Sequence, residues 1–327
     1  MKGFVSIIIP IYNMEASIGR CLDSICKQSY QSLQIICIDD GSSDRTWEIL
    51  ETYALKDTRI EIYRQENKGV SNARNSGLQK VEGEYFSFVD PDDYISIDMY
   101  AVILALMQQY GADVGCGSLV IEEREKRIEK KNRKKPPMHP IDGKKFLKYM
   151  FKREDYRAVG ANCHTKVFRT EKFINEEGKI GISFAEDLMY GEGVLFTTTA
   201  MMYAKKVIYC DVPIYYYCQR EMSSTHNKQK TLEHMGNVIA YERIIKLLEA
   251  HRVSMMIQIW VKRFMIYHAI LCGRLASELA WHENDSDIVK KMEQYFLEYC
   301  ITNICHPSRI IELCRLRHLL KRGLEKN

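Results

Sequence analysis

Residues 84–94 read EYFSFVDPDDY, an apolar strand-like run that ends in a cluster of carboxylates. The acids are Asp90, Asp92 and Asp93, and a proline lies between the first two. Carboxylates this close raise the electrostatic free energy of each other's ionised form. The cluster is therefore either a solvated turn or the site of a cation. Carboxylates spaced D-x-D at a strand end can both reach one hard cation, such as Mg²⁺ or Mn²⁺.

The chain before this run alternates between apolar runs and helical patterns. Apolar side chains recur at helical spacing after the first run, at Ile18, Cys21, Leu22 and Ile25. Strands that alternate with helices form mostly parallel sheets through right-handed crossovers. The predicted fold class is α/β, a Rossmann-like nucleotide-binding domain with a mostly parallel central sheet. The predicted strands are Val5–Ile11, Leu33–Ile38, Ile60–Arg64 and Tyr85–Val89, and the later helices are Thr46–Leu55 and Ser71–Lys80.

Polar motifs follow three of the predicted strands. Tyr12–Asn13 come after the first strand, Asp39–Asp40 after the second and Asp90–Asp93 after the fourth. Sheets of this class bind ligands at the carboxyl ends of their strands. We therefore expect the three motifs to converge on one ligand site.

The motif DDGSSD, residues 39–44, permits two roles that are compatible with each other. Asp39, Ser42 and Asp44 can cap the helix that follows. Asp40 can face the ligand, where a carboxylate accepts a hydrogen bond from an imide N–H such as N3 of uracil. Nearby, Arg74 in ENKGVSNARNSG is either a surface residue or a cation beside a diphosphate.

The rest of the chain has a different character. Residues 122–145 carry ten Lys or Arg against five Asp or Glu, three prolines and no apolar periodicity. This region is predicted to be an exposed, mobile excursion, either a solvated loop or a contact surface for anionic lipid or a polyanionic acceptor. Amphipathic helices are predicted from about residue 231 and over 254–281. The basic segment from Arg309 onward either packs on these helices or lies on an anionic membrane surface.

Composition limits the class of protein. The 327 residues have a net charge of +4, which is too small to indicate a nucleic-acid partner. The eleven cysteines are scattered in apolar contexts, which favours reduced thiols. No signal peptide is expected, and no run reaches the roughly 20 apolar residues of a membrane-spanning helix. We expect a cytoplasmic protein.

Five motifs occur in order along about two-thirds of the chain, roughly residues 3–225. They are SIIIPIYN, DDGSSD, N-x-G-x-S-x-A-R-N-x-G, G-E-Y-x-x-F-x-D-P-D-D and F-A-E-D. Together they resemble the family 2 glycosyltransferases with the GT-A fold, of the bacterial surface-polysaccharide type. The resemblance implies a GT-A domain over 1–225, with a C-terminal helical region over 226–327. It also implies metal-dependent, inverting transfer from a nucleotide-diphosphate sugar, a UDP-sugar, to an acceptor hydroxyl.

The resemblance assigns roles to individual residues. Asp187 in FAED matches the catalytic base, with Glu186 beside it as an adjacent acid. Arg220, Ser223 and Ser224 match the closing segment that approaches the diphosphate. The remaining matches are Pro10, Tyr12 and Glu15 at the base and ribose pocket, Asp40 with Asp39 at the uracil, Arg74 at the diphosphate, and Asp90 and Asp92 at Mg²⁺ or Mn²⁺.

The resemblance also separates some alternatives. The Q-x-x-R-W motif of processive members is absent, which favours addition of a single hexose or N-acetylhexosamine to a glycan or lipid-linked acceptor. A nucleotidyltransferase on a similar sheet would need a basic, glycine-rich loop where this chain has PIYNMEASIG. A non-catalytic sugar-nucleotide binding protein remains an alternative, against which the set of Asp90, Asp92 and Asp187 argues.

Overall fold

The computed structural model describes residues 2–123, 126–128, 138–152, 162–219 and 235–278. The strands there are β1 (Val5–Ile11), β2 (Leu33–Asp39), β3 (Ile60–Arg64), β4 (Tyr85–Phe88), β5 (Tyr94–Ile95), β6 (Val114–Glu123), β7 (Lys126–Ile128), β8 (Lys166–Arg169) and β9 (Val207–Gln219). The α-helices are α1 (Ile18–Cys26), α2 (Thr46–Lys56), α3 (Val70–Leu78), α4 (Met99–Tyr110), α5 (Gly143–Phe151), α6 (Glu192–Tyr203), α7 (Met235–Ala250) and α8 (Met255–Glu278).

The described strands form one sheet in the order β3-β2-β1-β4-β8-β6-β9-β5, with β7 paired to β6. Strands β1 to β4 run parallel to one another, which confirms the predicted α/β fold class. Beyond β4 the sheet is mixed: β8 is antiparallel to both β4 and β6, and β9 is parallel to β6. The sequence did not indicate this second half, because its pairing partners lie far apart in the chain.

The parallel half contains much of the hydrophobic core. Every residue of β1 and β2 is buried, as expected of strands that helices cover on both faces. Helix α3 lies so close to β1 that a Cβ atom on Gly77 would collide with the side chain of Ile8. This close approach is possible because glycine has no side chain, and it fixes the position of Arg74 one turn earlier in the same helix.

Only the two ends of the region 122–145 are described. Its first residues end β6, and β7 pairs antiparallel with that end, with Ile121 and Ile128 as partners in the backbone register. At the other end Gly143 begins α5, whose N-terminus is capped by the Asp142 side chain. Strand pairing and capping thus order the two ends of the region, and the mobile excursion between them stays a prediction. Residues 124–125 and 129–137 lie outside the described residues.

The described residues fall into two compact units. The first contains the chain up to Asp187 and from Phe196 through β9, and the second contains Leu188–Leu195 with α7 and α8. Helix α8 confirms the helix predicted over 254–281. None of the helices in the described ranges has the length and hydropathy that crossing a membrane requires. The predicted boundary at 225/226 and the basic C-terminal segment lie outside the described residues.

Candidate active site

A cavity of about 370 Å³ lies at the carboxyl ends of β1, β2 and β4, in the first unit. Helix α3 forms another side of it, through residues from Gly69 to Arg74. The sheet edge that was expected to bind a ligand therefore carries a cavity. Six of the predicted site residues line it: Pro10, Tyr12, Asp40, Arg74, Asp90 and Asp92.

Asp40 is buried at the end of β2 and holds the loop that leads into α3. Its carboxylate accepts hydrogen bonds from the backbone N–H groups of Lys68 (3.0 Å) and Gly69 (2.7 Å). It also accepts one from Nε2 of Gln65 (2.8 Å). Since a carboxylate offers about four acceptor positions, roughly one is left for a donor N–H in the cavity.

Asp39 is not among the described residues that line the cavity. Its Oδ1 accepts a hydrogen bond from the backbone N–H of Ser42 (3.1 Å), and its Oδ2 lies 3.1 Å from Nε of Arg64. The side chain is fully buried, so the nearby guanidinium compensates its charge. In this position Asp39 shapes the turn after β2, whereas the bond to Thr46 at the start of α2 comes from Asp44.

Glu15 also has a structural position, outside the lining of the cavity. Its carboxylate accepts a hydrogen bond from the backbone N–H of Arg45 (3.0 Å) at the start of α2. Asp44 accepts from the backbone N–H groups of Thr46 (3.0 Å) and Glu15 (3.1 Å). These bonds join the loop after β1 to the loop after β2 and so hold two walls of the cavity together.

Asp90 makes polar contacts with side chains from three other segments of the chain. Its Oδ1 accepts a hydrogen bond from the Arg74 guanidinium (2.9 Å), and its Oδ2 lies 3.5 Å from Nδ1 of His164. Its backbone N–H donates to the hydroxyl of Tyr215 (3.1 Å). Burial alone would raise the pKa of Asp90, but Arg74 and then His164 outweigh it and hold that pKa well below its usual range. The carboxylate is therefore kept ionised.

Asp93, whose direct role was open, has a different environment from its neighbours. It is fully buried and accepts hydrogen bonds from the Tyr215 hydroxyl (2.6 Å) and the backbone N–H of Cys218 (2.9 Å). Burial, and then the charges of Asp90 and Asp92, raise the pKa of Asp93 well above its usual range. The side chain attaches the acidic turn to β9 rather than facing the cavity.

Asp90 and Asp92 are the residues at the acidic turn that could hold a divalent ion. Within the described residues no group of three or more His, Cys, Asp or Glu side chains is arranged to hold a metal. A magnesium-like ion in an enzyme is often bound by one or two carboxylates together with phosphate oxygens of the substrate. Two carboxylates that line a cavity large enough for a ligand suit that chemistry.

The segment with the predicted catalytic base is fixed to α3. Asn75 donates to the backbone oxygen of Phe184 (3.0 Å) and to Oε1 of Glu186 (2.9 Å), and accepts from the backbone N–H of Phe184 (2.8 Å). The Phe184 ring also lies 5.1 Å from the Arg74 guanidinium, a cation–π contact. Asp187, which follows directly, is exposed and is not among the residues that line the 370 Å³ cavity.

Comparison with known proteins agrees with this geometry. The sequence model described as Glycosyl transferase family 2 matches residues 6–175, which include β1 from its second residue, β2 to β4, α3 and the acidic turn. This chain belongs to glycosyltransferase family 2. The match contains Asp40, Arg74, Asp90 and Asp92, and also His164.

Individual proteins are similar to this family 2 chain in sequence or in structure. The uncharacterized glycosyltransferase EpsJ of Bacillus subtilis is 32% identical over 236 residues, which are 69% of this chain and 64% of EpsJ. The crystal structure of Staphylococcus aureus TarS 1-349 with UDP-GlcNAc has a TM-score of 0.60 at 20% identity, covering 99% of this chain and 92% of that one. The mannosyltransferase PcManGT of Pyrobaculum calidifontis, with GDP-Man and Mn²⁺, has a TM-score of 0.56 at 15% identity, covering 99% and 86%. The two structures establish the GT-A-type fold.

Sequence reasoning missed two residues of the site in this family 2 chain. His164 and Tyr215 both contact Asp90, and their rings stack with centroids 4.5 Å apart. His164 precedes β8 and Tyr215 lies in β9, strands whose positions the sequence did not indicate. The predicted Arg220, Ser223 and Ser224 lie outside the described residues.

Proposed function

We propose that this chain is an inverting glycosyltransferase that moves one sugar from a UDP-sugar to a hydroxyl of a glycan or lipid-linked acceptor in cell-surface polysaccharide synthesis. One observation carries the proposal: Asp40, Arg74, Asp90 and Asp92, which come from two loops and a helix, line one cavity at the carboxyl edge of the sheet. A sugar nucleotide needs a base reader, a cation at the diphosphate and metal-binding carboxylates, and this set supplies all three.

The donor base would be recognised by Asp40. Its remaining acceptor position suits the N3–H of uracil, and TarS with bound UDP-GlcNAc supports a uridine donor. Tyr12 is exposed and lines the same cavity, where its ring can pack against the base. Whether the sugar is a hexose or an N-acetylhexosamine depends on residues that pack against the sugar itself.

The diphosphate would be held by Arg74 and by Asp90 and Asp92 through Mg²⁺ or Mn²⁺. A bound divalent ion supplies positive charge that stabilises the leaving nucleoside diphosphate. The Mn²⁺ in the PcManGT structure supports such an ion here. Arg74, fixed by Asp90 and by the Phe184 ring, can add a hydrogen-bonded positive charge on the same side.

Asp187 would act as the general base. It would take the proton of the acceptor hydroxyl while that oxygen bonds to the anomeric carbon and the bond to the diphosphate oxygen breaks. Attack from the face opposite the nucleotide inverts the anomeric configuration. The attachment of residues 184–186 to α3 supports this role, because it holds the preceding backbone beside the helix that carries Arg74.

Donor screening tests the proposal. Thermal-shift measurements with UDP-glucose, UDP-galactose, UDP-GlcNAc and dTDP-rhamnose, each with and without Mn²⁺, should show a shift that needs both a nucleotide sugar and the ion. The donor that gives the largest shift should then be hydrolysed slowly in the absence of acceptor. Tight UDP binding without turnover on any acceptor would favour a non-catalytic sugar-nucleotide binding protein instead. No shift with any nucleotide would contradict both functions.

A further inference from the structure

A second, larger cavity lies along the other side of α3 in the first unit. Its volume is about 1110 Å³, against about 370 Å³ for the cavity with the acidic turn. Its walls are the C-terminal half of α3, residues 81–84 and the segment 170–186, and we call it the α3 groove. Pockets for drug-sized ligands typically measure about 300–1,000 Å³, so the α3 groove can hold more than one sugar.

The two cavities meet at the Arg74–Phe184 pair. Arg74 lines the smaller cavity, whereas its neighbour Asn75 lines the α3 groove. Phe184 lines the groove and stacks 5.1 Å from the Arg74 guanidinium, so this pair separates the two spaces. Glu186, which also lines the groove, immediately precedes Asp187. One end of the groove therefore lies beside the proposed donor site and the proposed base.

The outer wall of the groove is built by hydrogen bonds. Asn175 donates its backbone N–H to Lys179 (2.8 Å), and Gly181 donates to Phe173 (2.7 Å), which closes a hairpin-like turn. The contacts of Asn75 with residues 184–186 then fix the far end of this segment to α3. A preformed wall of this kind lowers the conformational-entropy cost of binding a ligand, because the segment is already ordered.

The lining of the groove indicates the chemistry of its occupant. Four carboxylates and two lysines line it, and Glu84 and Glu171 are paired with Arg169 (2.9 Å) and Lys172 (3.6 Å) outside the lining, so the groove has no excess of positive charge to attract a polyanionic chain. Carboxylates and amides such as that of Gln79 can bond to sugar hydroxyls, while Ile174 offers a partly exposed apolar surface for sugar C–H faces. The charged residues are Glu82, Glu84, Glu171 and Glu186, with Lys2 and Lys179.

We propose that the α3 groove binds an extended, uncharged oligosaccharide part of the acceptor, with its reacting end toward Phe184 and Glu186. The inference rests on the proposed function, because it assigns the acceptor side of the same reaction. It makes the acceptor a neutral glycan chain rather than a phosphate-containing polymer, and it predicts that chain length contributes to binding.

A glycan array tests the assignment. The full chain, labelled with a fluorophore and saturated with UDP and Mn²⁺, is applied to arrayed microbial glycans that include uncharged and anionic chains. Ile174→Arg places a bulky charge in the groove at a side chain that is already 45% exposed. The matched control is Leu55→Arg, a residue of α2 that is 89% exposed and outside both cavities.

The wild-type chain and the Leu55→Arg variant should bind uncharged glycans longer than a disaccharide, and Ile174→Arg should weaken this binding at least about tenfold. The double variant Glu82→Lys, Glu171→Lys should shift the preference toward anionic glycans.

The assignment is overturned if the wild type prefers anionic glycans, if Ile174→Arg binds like Leu55→Arg, or if no glycan binds. A thermal shift with UDP and Mn²⁺ distinguishes the cases: an intact shift without glycan binding contradicts the groove alone, and loss of both contradicts the proposed function.

Discussion

Nδ1 of His164 lies 3.5 Å from Oδ2 of Asp90, while Arg74 bonds to Oδ1 of the same carboxylate. The His164 ring also stacks on Tyr215, whose hydroxyl accepts the backbone N–H of Asp90. The carboxylate is thus positioned by α3, by the residues before β8 and by β9. If Asp90 binds a metal as proposed, loss of a residue that orients it should lower metal affinity by about 10- to 100-fold.

Replacing His164 with phenylalanine should weaken the binding of UDP with Mn²⁺ by at least about tenfold, because Asp90 loses a partner at Oδ2. The phenyl ring keeps the stacking on Tyr215, so the melting temperature should change little. Calorimetric titration of UDP in the presence of Mn²⁺ measures the effect, with the exposed His139→Phe as the matched control. Wild-type affinity in His164→Phe would show that His164 does not position Asp90.

The two proposed metal ligands should respond differently to alanine. Asp92→Ala should abolish sugar transfer with little loss of stability, because the Asp92 side chain is partly exposed. Asp90→Ala should also destabilise the fold by about 3 kcal/mol, because it leaves the buried Arg74 without its carboxylate. Activity assays and denaturant unfolding of both variants check this. Full activity of Asp92→Ala would refute the metal assignment.

The sequence predicted the parallel half of the sheet and the part of the site that lies at its carboxyl edge. Asp40 and Asp90 follow strands that alternate with helices, so local patterns and the parallel-sheet rule predict that they converge. Tyr215 lies 125 residues from Asp90 in the chain, and the order β4-β8-β6-β9 that brings them together has no local signal. Glu15 shows a limit of motif matching. It matches a family position at the base and ribose pocket, but its carboxylate bonds to the backbone N–H of Arg45 at the start of α2.

Acid stability should depend on the Asp57–Arg59 ion pair at the end of α2. The hydrogen bonds from Arg59 are the main reason that the pKa of Asp57 falls to about 2. Since the unfolded pKa is about 3.9, the pair stabilises the fold above pH 4 and this contribution is lost as the pH falls toward 2. With solvent screening the contribution is about 1 kcal/mol.

The free energy of unfolding of wild type and Asp57→Asn, measured across this range, checks the effect. The difference between them should be constant at neutral pH and shrink in acid. A difference that does not vary with pH would mean that the hydrogen-bond geometry, rather than the charge of Asp57, stabilises the turn.

The basic C-terminal segment should bind anionic membranes if it does not pack on the preceding helices. From Arg309 onward it carries six Lys or Arg against two Glu. Each basic residue near an anionic surface contributes about 1 kcal/mol at moderate ionic strength. Co-sedimentation with vesicles should require anionic lipid and decline with salt, and deletion of residues 309–327 should remove it. Unchanged binding after deletion would place the membrane contact elsewhere.

Substitution of the adjacent acids Glu186 and Asp187 should identify the general base. Asp187→Asn should lower the rate of sugar transfer by at least about a hundredfold, because the acceptor hydroxyl loses its proton acceptor. UDP binding with Mn²⁺ should persist, since Asp187 does not line the donor cavity. Glu186→Gln keeps an oxygen that can accept the hydrogen bond from Asn75, so it should retain most of the activity.

Steady-state assays with the donor found by thermal shift, together with UDP titrations, separate the two roles. If Glu186→Gln were the inactive variant and Asp187→Asn the active one, the base would be Glu186. If both variants lost UDP binding, the segment 184–187 would position the donor rather than take the proton of the acceptor.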